Sequence, residues 1–388
     1  MKIADRMDRL SESITIAITT LSRELKESGK DVLSFSAGEP DFGTPKVIKE
    51  AAIKAMDNNE TRYTAVEGTP ASREAIKNKL KRDNNLDYDI SDIIISVGAK
   101  HSLFNLFQAG IEEGDEVIIP APYWVTYPEL VKYSGGKVVE IITTDKSQFK
   151  ITPEQLKDAI TSKTKMLVLT TPSNPTGSVY SEDELIAIAE ILKDTNITVL
   201  SDEMYEKLVY GTTKFTAVAS INEDMLNRTV TINGLSKSVA MTGWRFGYLA
   251  CKNKEFIKAM KKLQSQSTSN INSITQAAAI TALDGSADND IETMRVEFEK
   301  RRDLAVDLIN NINGLSVVKP DGAFYLFINI KEITNDSMKF SKELLEKVGV
   351  AIVPGVAFGL EGYFRLSFAT DENTIRDGIS RIAKFVNK

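Results

Sequence analysis

Short apolar runs alternate along the chain with stretches in which apolar residues recur every three or four positions. Ile93 to Val97 (IIISV) is a β-branched run that predicts a strand. It leads through Gly98 into KHSLFNLFQAGI, where Leu103, Phe104, Leu106, Phe107 and Ile111 recur at helical spacing. The same reasoning predicts a strand over Glu116 to Ile119, a helix from Trp124 to Tyr133 and a strand over Lys137 to Ile142. Met166 to Thr170, Thr198 to Ser201 and Thr229 to Ile232 predict three more strands, with the acidic helix SEDELIAIAEILKD between the first two. Strands that are continuously apolar rather than alternating are buried on both faces. The pattern therefore predicts an α/β fold with a mainly parallel sheet covered by helices on each side.

Beyond about residue 285 the texture changes. Ile291 to Asn311 predicts one long charged helix, and GAFYLFINI, GVAIVPG and YFRLSFA are separate strand-like pieces. The expected organisation is a large domain over residues 46–285 and a smaller α+β domain over 286–388. The N-terminal segment, 1–45, is expected to fold back onto the smaller domain.

Composition narrows the chemistry. The 388 residues suffice for two or three domains with sizeable cores, and 42% hydrophobic with 26% charged residues describes an ordinary globular protein. One Cys and one His allow neither an internal disulfide nor a His/Cys zinc cluster. Any Ser-His or Cys-His nucleophile system would have to run through His101, so proton chemistry is expected to rest on Lys, Tyr, Asp or Glu. The net charge, 48 − 54 = −6, and the lack of a long Lys/Arg block argue against a nucleic-acid partner. The opening MKIADRMDRLSESITIAITTL has no apolar core of a secretory signal, and no run approaches 18 uninterrupted apolar residues, so a cytoplasmic setting is expected. No GxGxxG follows a strand and no GxxxxGK[ST] occurs, which leaves a dinucleotide-binding or P-loop reading unsupported.

In an open α/β sheet, ligands bind beyond the carboxyl ends of the strands. Four predicted strands end in polar or Gly-containing clusters that could converge there: Gly98-Ala99-Lys100, Ser173-Asn174-Pro175-Thr176-Gly177, Asp202-Glu203-Met204-Tyr205 and Asn233-Gly234-Leu235-Ser236-Lys237. Each has two readings. Gly98-Ala99-Lys100 is either a tight connection or a turn whose free N–H groups and helix dipole hold an anion such as phosphate. SNPTG is explicable by turn chemistry alone. Asp202 is either a carboxylate at a strand end or an N-cap for EMYEKLVY. Trp124 is either core or a ring stacked in the site. Lys237 is either a solvated surface lysine or a Schiff-base amine, the latter if burial or nearby cations disfavour its charge.

SKSVAMTGWRFGY resembles the lysine motif of the class I aminotransferases, pyridoxal 5′-phosphate (PLP) enzymes of fold type I. The likeness extends from SFSAGEPDFGTP through RYTAVEGTP, VGAKHSLFN, PYWVTYPE, TPSNPTG, SDEMYE and PDGAFYLF to FRLSFA. It is nearest the bacterial aspartate aminotransferase subgroup, which includes prephenate-using enzymes. The resemblance implies that Lys237 binds PLP as a Schiff base and shuttles the substrate proton. It implies that Asp202 pairs with the pyridine nitrogen, Asn174 and Tyr205 bond the phenolic oxygen, and Trp124 stacks on the ring. Arg245, Ser236 and the backbone of Ala99 and Lys100 would hold the phosphate. Arg365, Asn174 and the Gly38 backbone would grip the substrate α-carboxylate, and Lys100 would attract a distal carboxylate or add a phosphate contact. Tyr63 matches a tyrosine that crosses to the partner's phosphate, which implies a homodimer with shared sites. Ser13 and Thr15 fall in a segment that folds over the substrate, with Glu12 where relatives often have Pro. His101 has no expected role and no metal is implied. The expected activity is transfer of the amino group of an L-amino acid, foremost aspartate, to 2-oxoglutarate. Prephenate, aromatic or broad-specificity transfer and β-elimination are the alternatives. A PLP-binding regulator would need an added DNA-binding domain, for which residues 1–45 are too short and insufficiently basic.

Overall fold

The computed structural model describes residues 2–12 and 14–387, without the side chain of Thr15, so the expectations for Ser13 and for the Thr15 side chain lie outside the described residues. Among the described residues the strands form a seven-stranded sheet, a four-stranded sheet and a two-stranded pair. The large sheet runs, edge to edge, through Ile93–Val97, Phe246–Ala250, Thr229–Gly234, Thr198–Asp202, Thr164–Thr170, Glu116–Ala121 and Lys137–Ile142. Only Phe246–Ala250 is antiparallel to its neighbours, so the sheet is mainly parallel as the apolar runs predict. That antiparallel strand has no separate apolar run to announce it, being the end of the lysine segment. Thr229–Gly234 is buried along its whole length, which is what a strand covered on both faces demands.

The helices begin where local chemistry favours them. Ser181 caps the N-terminus of Glu182–Leu192, its hydroxyl accepting from the Glu184 amide while Glu184 reaches back, and three acidic residues occupy the first turn. Ala99–Gly110 starts at Gly98, whose φ of +77° suits glycine. The predicted helix at Trp124 begins two residues later, at Thr126, and leaves Trp124 on the preceding turn. The segment EMYEKLVY is a turn, not a helix.

The C-terminal region packs the 23-residue helix Asp288–Asn310 against an antiparallel sheet ordered Val353–Pro354, Tyr363–Ser367, Tyr325–Asn329, Ser316–Val317. GVAIVPG, which looks like one strand, divides: Val350–Ala351 pairs in parallel with Leu33–Ser34, and Val353–Pro354 joins the four-stranded sheet. Phe35 continues the seam, its N–H reaching Ala351 O (2.8 Å) and its carbonyl accepting from Ser367 N (3.0 Å). Upstream, Asp5–Arg9 and Ser11 lie instead against the helix Thr126–Ser134, with Ser11 N bonded to Glu129 Oε2 (2.6 Å). One hydrophobic cluster runs from Leu106, Val168 and Leu200 to Phe298, Phe324 and Phe364, so both sheets share a core.

The two sheets are joined by close backbone contact. Gly322 N donates to Gly177 O (2.8 Å), and Ala323 N donates to Leu208 O (2.9 Å). A Cβ on Gly322 would lie 2.7 Å from Pro172 Cβ. The chain entering Tyr325–Asn329 is thereby wedged between the turns that follow two strands of the large sheet. No helix among the described residues is long and apolar enough to cross a membrane.

Phe246–Ala250 lies flush against the turn at Gly98, because the backbone of Gly98 and Ala99 occupies the place of a Cβ on Gly247. Gly247→Ala is expected to lower stability by about 2 kcal/mol or more in denaturant melts, through forced displacement of backbone. Gly243→Ala, with open space around its Cβ, is expected to stay within about 0.5 kcal/mol of the parent.

Candidate active site

A cavity of about 470 Å³ opens at the carboxyl ends of the large sheet, beneath the small antiparallel sheet. Eleven of the twelve site residues selected from the sequence line it: Gly38, Ala99, Lys100, Trp124, Asn174, Asp202, Tyr205, Ser236, Lys237, Arg245 and Arg365. The twelfth, Tyr63, is 93% exposed and projects into solvent. His101 accepts from Val97 N–H through Nδ1 at 3.3 Å, and burial lowers its pKa, which favours the neutral ring.

Lys237 sits in the turn after Thr229–Gly234, with its Nζ donating to the carbonyl of Gly38. Burial lowers its pKa to about 8; Glu39 opposes that shift, while Arg365 and Arg245 reinforce it. At pH 7 an amine with that pKa is neutral in roughly one molecule in ten, against fewer than about one in a thousand for an ordinary lysine. The turn is braced from behind, where Asn233 donates to Glu206, which pairs in turn with buried Lys79.

Asp202 is the last residue of its strand and is buried. Its Oδ2 accepts from Tyr127 Oη (2.7 Å) and its Oδ1 from Met204 N (3.2 Å); Thr170 donates to Tyr127 Oη at 3.0 Å. The helix N-cap reading does not hold, because the following segment is a turn, whereas the reading as a strand-end carboxylate facing the cavity does. Burial raises its pKa despite those hydrogen bonds. A protonated nitrogen placed against it would stabilise the ionised form.

The opposite end of the cavity is cationic. Helix Ala99–Gly110 points its N-terminus inward, and the Arg245 guanidinium lies against Gly98, where a Cβ would be 2.6 Å from Nη2. Arg245 takes a left-handed φ of +57°, a conformation costly for a residue with a side chain, and Nη1 is tethered to Thr242 O (2.9 Å). Lys100 Nζ lies 4.9 Å from the Trp124 ring centroid. Free amide hydrogens, a helix dipole and an arginine together suit an anion such as phosphate.

Arg365 comes from the small sheet and is buried. Nη1 donates to Asn174 Oδ1 (2.9 Å) and Nη2 to Ser36 O (2.8 Å), while Nε has no hydrogen-bond partner among the described residues. Its guanidinium stacks over Tyr325 at 4.4 Å, and Tyr325 Oη meets Tyr205 Oη at 2.8 Å. Tyr127 and Tyr325 escape sequence reasoning. Tyr127 falls one helical turn after Trp124 in PYWVTYPE, a spacing that could have pointed to it. Tyr325 carries no such local signal, because its neighbours are set by pairing across strands.

An α/β sheet whose strand ends gather a desolvated lysine, a buried carboxylate and a cradle suited to an anion has the architecture of a fold-type I PLP enzyme. The residues present suit that cofactor: an amine for the aldehyde, an anion for the ring nitrogen and a helix N-terminus with Arg245 for the phosphate. The sequence profile of the family "Aminotransferase class I and II" matches residues 30–382, and the chain belongs to that family. It is a PLP-dependent aminotransferase. It is similar to the aspartate aminotransferase of Bacillus subtilis (strain 168), 48% identical over all of both chains. It is also similar to the probable aspartate/prephenate aminotransferase of Aquifex aeolicus, 45% identical over 98% of each. Among solved structures, the aspartate aminotransferase of Rhizobium meliloti superposes with a TM-score of 0.96 at 40% identity, covering 100% of this chain and 99% of that one. The Thermus thermophilus aspartate aminotransferase with maleate gives 0.95 at 40% identity, over 99% of each chain.

In the apoprotein, acetylation of Lys237 by trace acetic anhydride, followed by peptide mass spectrometry, should rise with pH to a midpoint near 8. The neutral amine is the reactive form, and burial makes it available below the range of surface lysines. A midpoint above about 10 would contradict the desolvated setting.

Proposed function

We propose that this aminotransferase transfers the amino group of aspartate to 2-oxoglutarate, in the cytoplasm and as a homodimer. The proposal rests above all on the two cations that line one cavity with Lys237: buried Arg365, held by Asn174, and Lys100 beside Trp124. Two separate cations suit a substrate with two carboxylates. Relatives named aspartate aminotransferase, and one such structure carrying the dicarboxylate maleate, support the same substrate class.

The PLP aldehyde supplies the electron sink that makes the substrate Cα–H acidic. The chain's residues do the rest. Arg365, which lines the cavity with Asn174 and Gly38, offers a planar fork that would pair with the α-carboxylate, with Asn174 and the Gly38 backbone helping to orient it. Lys100 takes the distal carboxylate. Lys237 Nζ, whose lowered pKa makes the neutral amine accessible near pH 7, moves the proton at the substrate Cα. Asp202, fixed by Tyr127 and Met204, would present a negative charge to the ring nitrogen, and Trp124 would pack against the ring. Arg245, Ser236 and the amides of Ala99 and Lys100 anchor the phosphate. Tyr63, exposed on the single chain, would add a contact to the phosphate held by a second copy in the dimer.

Lys237→Ala is expected to remove amino transfer, a loss of at least roughly 10²–10⁴-fold in single-turnover rate, and a fully active alanine variant would sink the assignment. Lys100→Ala should lower kcat/KM for aspartate by roughly 10–100-fold and for alanine by less than about threefold. Equal losses for the two donors would remove Lys100 from side-chain recognition. Product analysis completes the test: aspartate with 2-oxoglutarate is expected to give glutamate and oxaloacetate, prephenate as the better acceptor would favour the prephenate alternative, and ammonia with pyruvate from a donor that carries a leaving group on Cβ, such as a β-thio amino acid, would indicate elimination.

A further inference from the structure

Tyr325 joins two parts of the site that lie on different sheets. In the small sheet it pairs with Ser367, while Phe327 pairs with Arg365, so Tyr325 and Arg365 are diagonal neighbours on one face. That register places the guanidinium 4.4 Å above the Tyr325 ring. The phenol extends to Tyr205, in the turn after Asp202 of the large sheet, at 2.8 Å. It also touches the loop that holds Lys237, since a Cβ on Gly38 would stand 3.0 Å from Tyr325 Oη. Tyr325 is 1% exposed and Tyr205 5%, so water does not compete for this bond.

Each phenol carries one proton, and this decides the direction of the bond when the site is loaded. If Tyr205 spends its proton on the phenolic oxygen of the cofactor, its own oxygen must accept, and Tyr325 is the donor. A cation stacked on the donor's ring withdraws electron density and strengthens that donation. We propose that Tyr325 is a positioning residue: it donates to Tyr205 Oη, turns the Tyr205 hydroxyl toward the cofactor oxygen, and couples that contact to the charge on Arg365. A carboxylate arriving at Arg365 offsets the cation and weakens the relay, so substrate binding is felt at the cofactor end of the cavity. This rests on the PLP assignment above and adds to it a cavity-lining residue that acts through Tyr205.

The test is a pH titration of the visible absorbance of the protein reconstituted with PLP. Removing a donor to Tyr205 leaves the cofactor oxygen less stabilised as an anion, so a proton on the neighbouring nitrogen is held more tightly. The titration midpoint of Tyr325→Phe should therefore move upward, by roughly 0.3 pH unit if a second hydrogen bond strengthens a charge-assisted one by ~10–30%. Tyr205→Phe should move it further in the same direction, and the double variant should match Tyr205→Phe alone. Because the phenyl ring still stacks under Arg365, KM for aspartate should stay within about twofold while kcat falls. A Tyr325→Phe midpoint equal to that of the parent, or a double-variant shift equal to the sum of the two single shifts, overturns the relay. A parent protein that takes up no PLP absorbance at all overturns the cofactor assignment as well, so the two failures are distinguishable.

Discussion

The site depends on holding ionisable groups away from water at the join between the two sheets. Lys237, Asp202 and Arg365 each occupy an environment that disfavours their charged form, and burial is the largest cause in every case. Such groups persist only when the surrounding structure over-determines them. Here Asp202 is gripped through both oxygens, Arg365 through both terminal nitrogens and an aromatic face, and Lys237 through the Gly38 carbonyl. The depressed charge of the lysine is also its chemical use. A neutral amine near pH 7 can form a carbonyl adduct and carry a proton, which a solvated lysine does poorly.

That arrangement requires the small sheet to sit firmly over the large one. The Gly322–Gly177 and Ala323–Leu208 backbone bonds provide this, with the hydrophobic core continuous across both sheets. The parallel seam between Leu33–Ser34 and Val350–Ala351 then delivers Ser36 and Gly38 to the cavity, where their carbonyls meet Arg365 and Lys237. Two distant stretches of chain are thus tied to the same pair of cations. Local cationic character inside a chain of net charge −6 follows from this placement, and it explains why overall charge says little about what the cavity accepts.

Much of the large sheet was legible because most of its strands contain short continuous apolar runs, and runs such as those in Ile93–Val97 and Thr164–Thr170 need no tertiary information to stand out. Phe246–Ala250 did not stand out. Its place as an antiparallel strand depends on insertion between Thr229–Gly234, which precedes it closely, and Ile93–Val97, which is far away in sequence. The same distinction divides the site. Asp202, Asn174 and Lys237 could be selected because each ends or follows a strand, and strand ends in an open α/β sheet face a common crevice. Tyr127 had only its spacing after Trp124 to point to it, and Tyr325 had no local signal, since a buried tyrosine has the same local pattern whether it fills a core or holds a catalytic group.

By itself, then, the sequence determined which residues stand at strand ends, which turn could cradle an anion, and that with one His and one Cys the proton chemistry would fall to other side chains. Tertiary structure alone decided how those residues behave. The pairing of Tyr325–Asn329 with Tyr363–Ser367 sets Tyr325 under Arg365, and the packing of that sheet against the strand ends brings its phenol to Tyr205. Desolvation and cross-strand register are properties of neighbours distant along the chain. No local pattern of hydrophobic and polar residues encodes them.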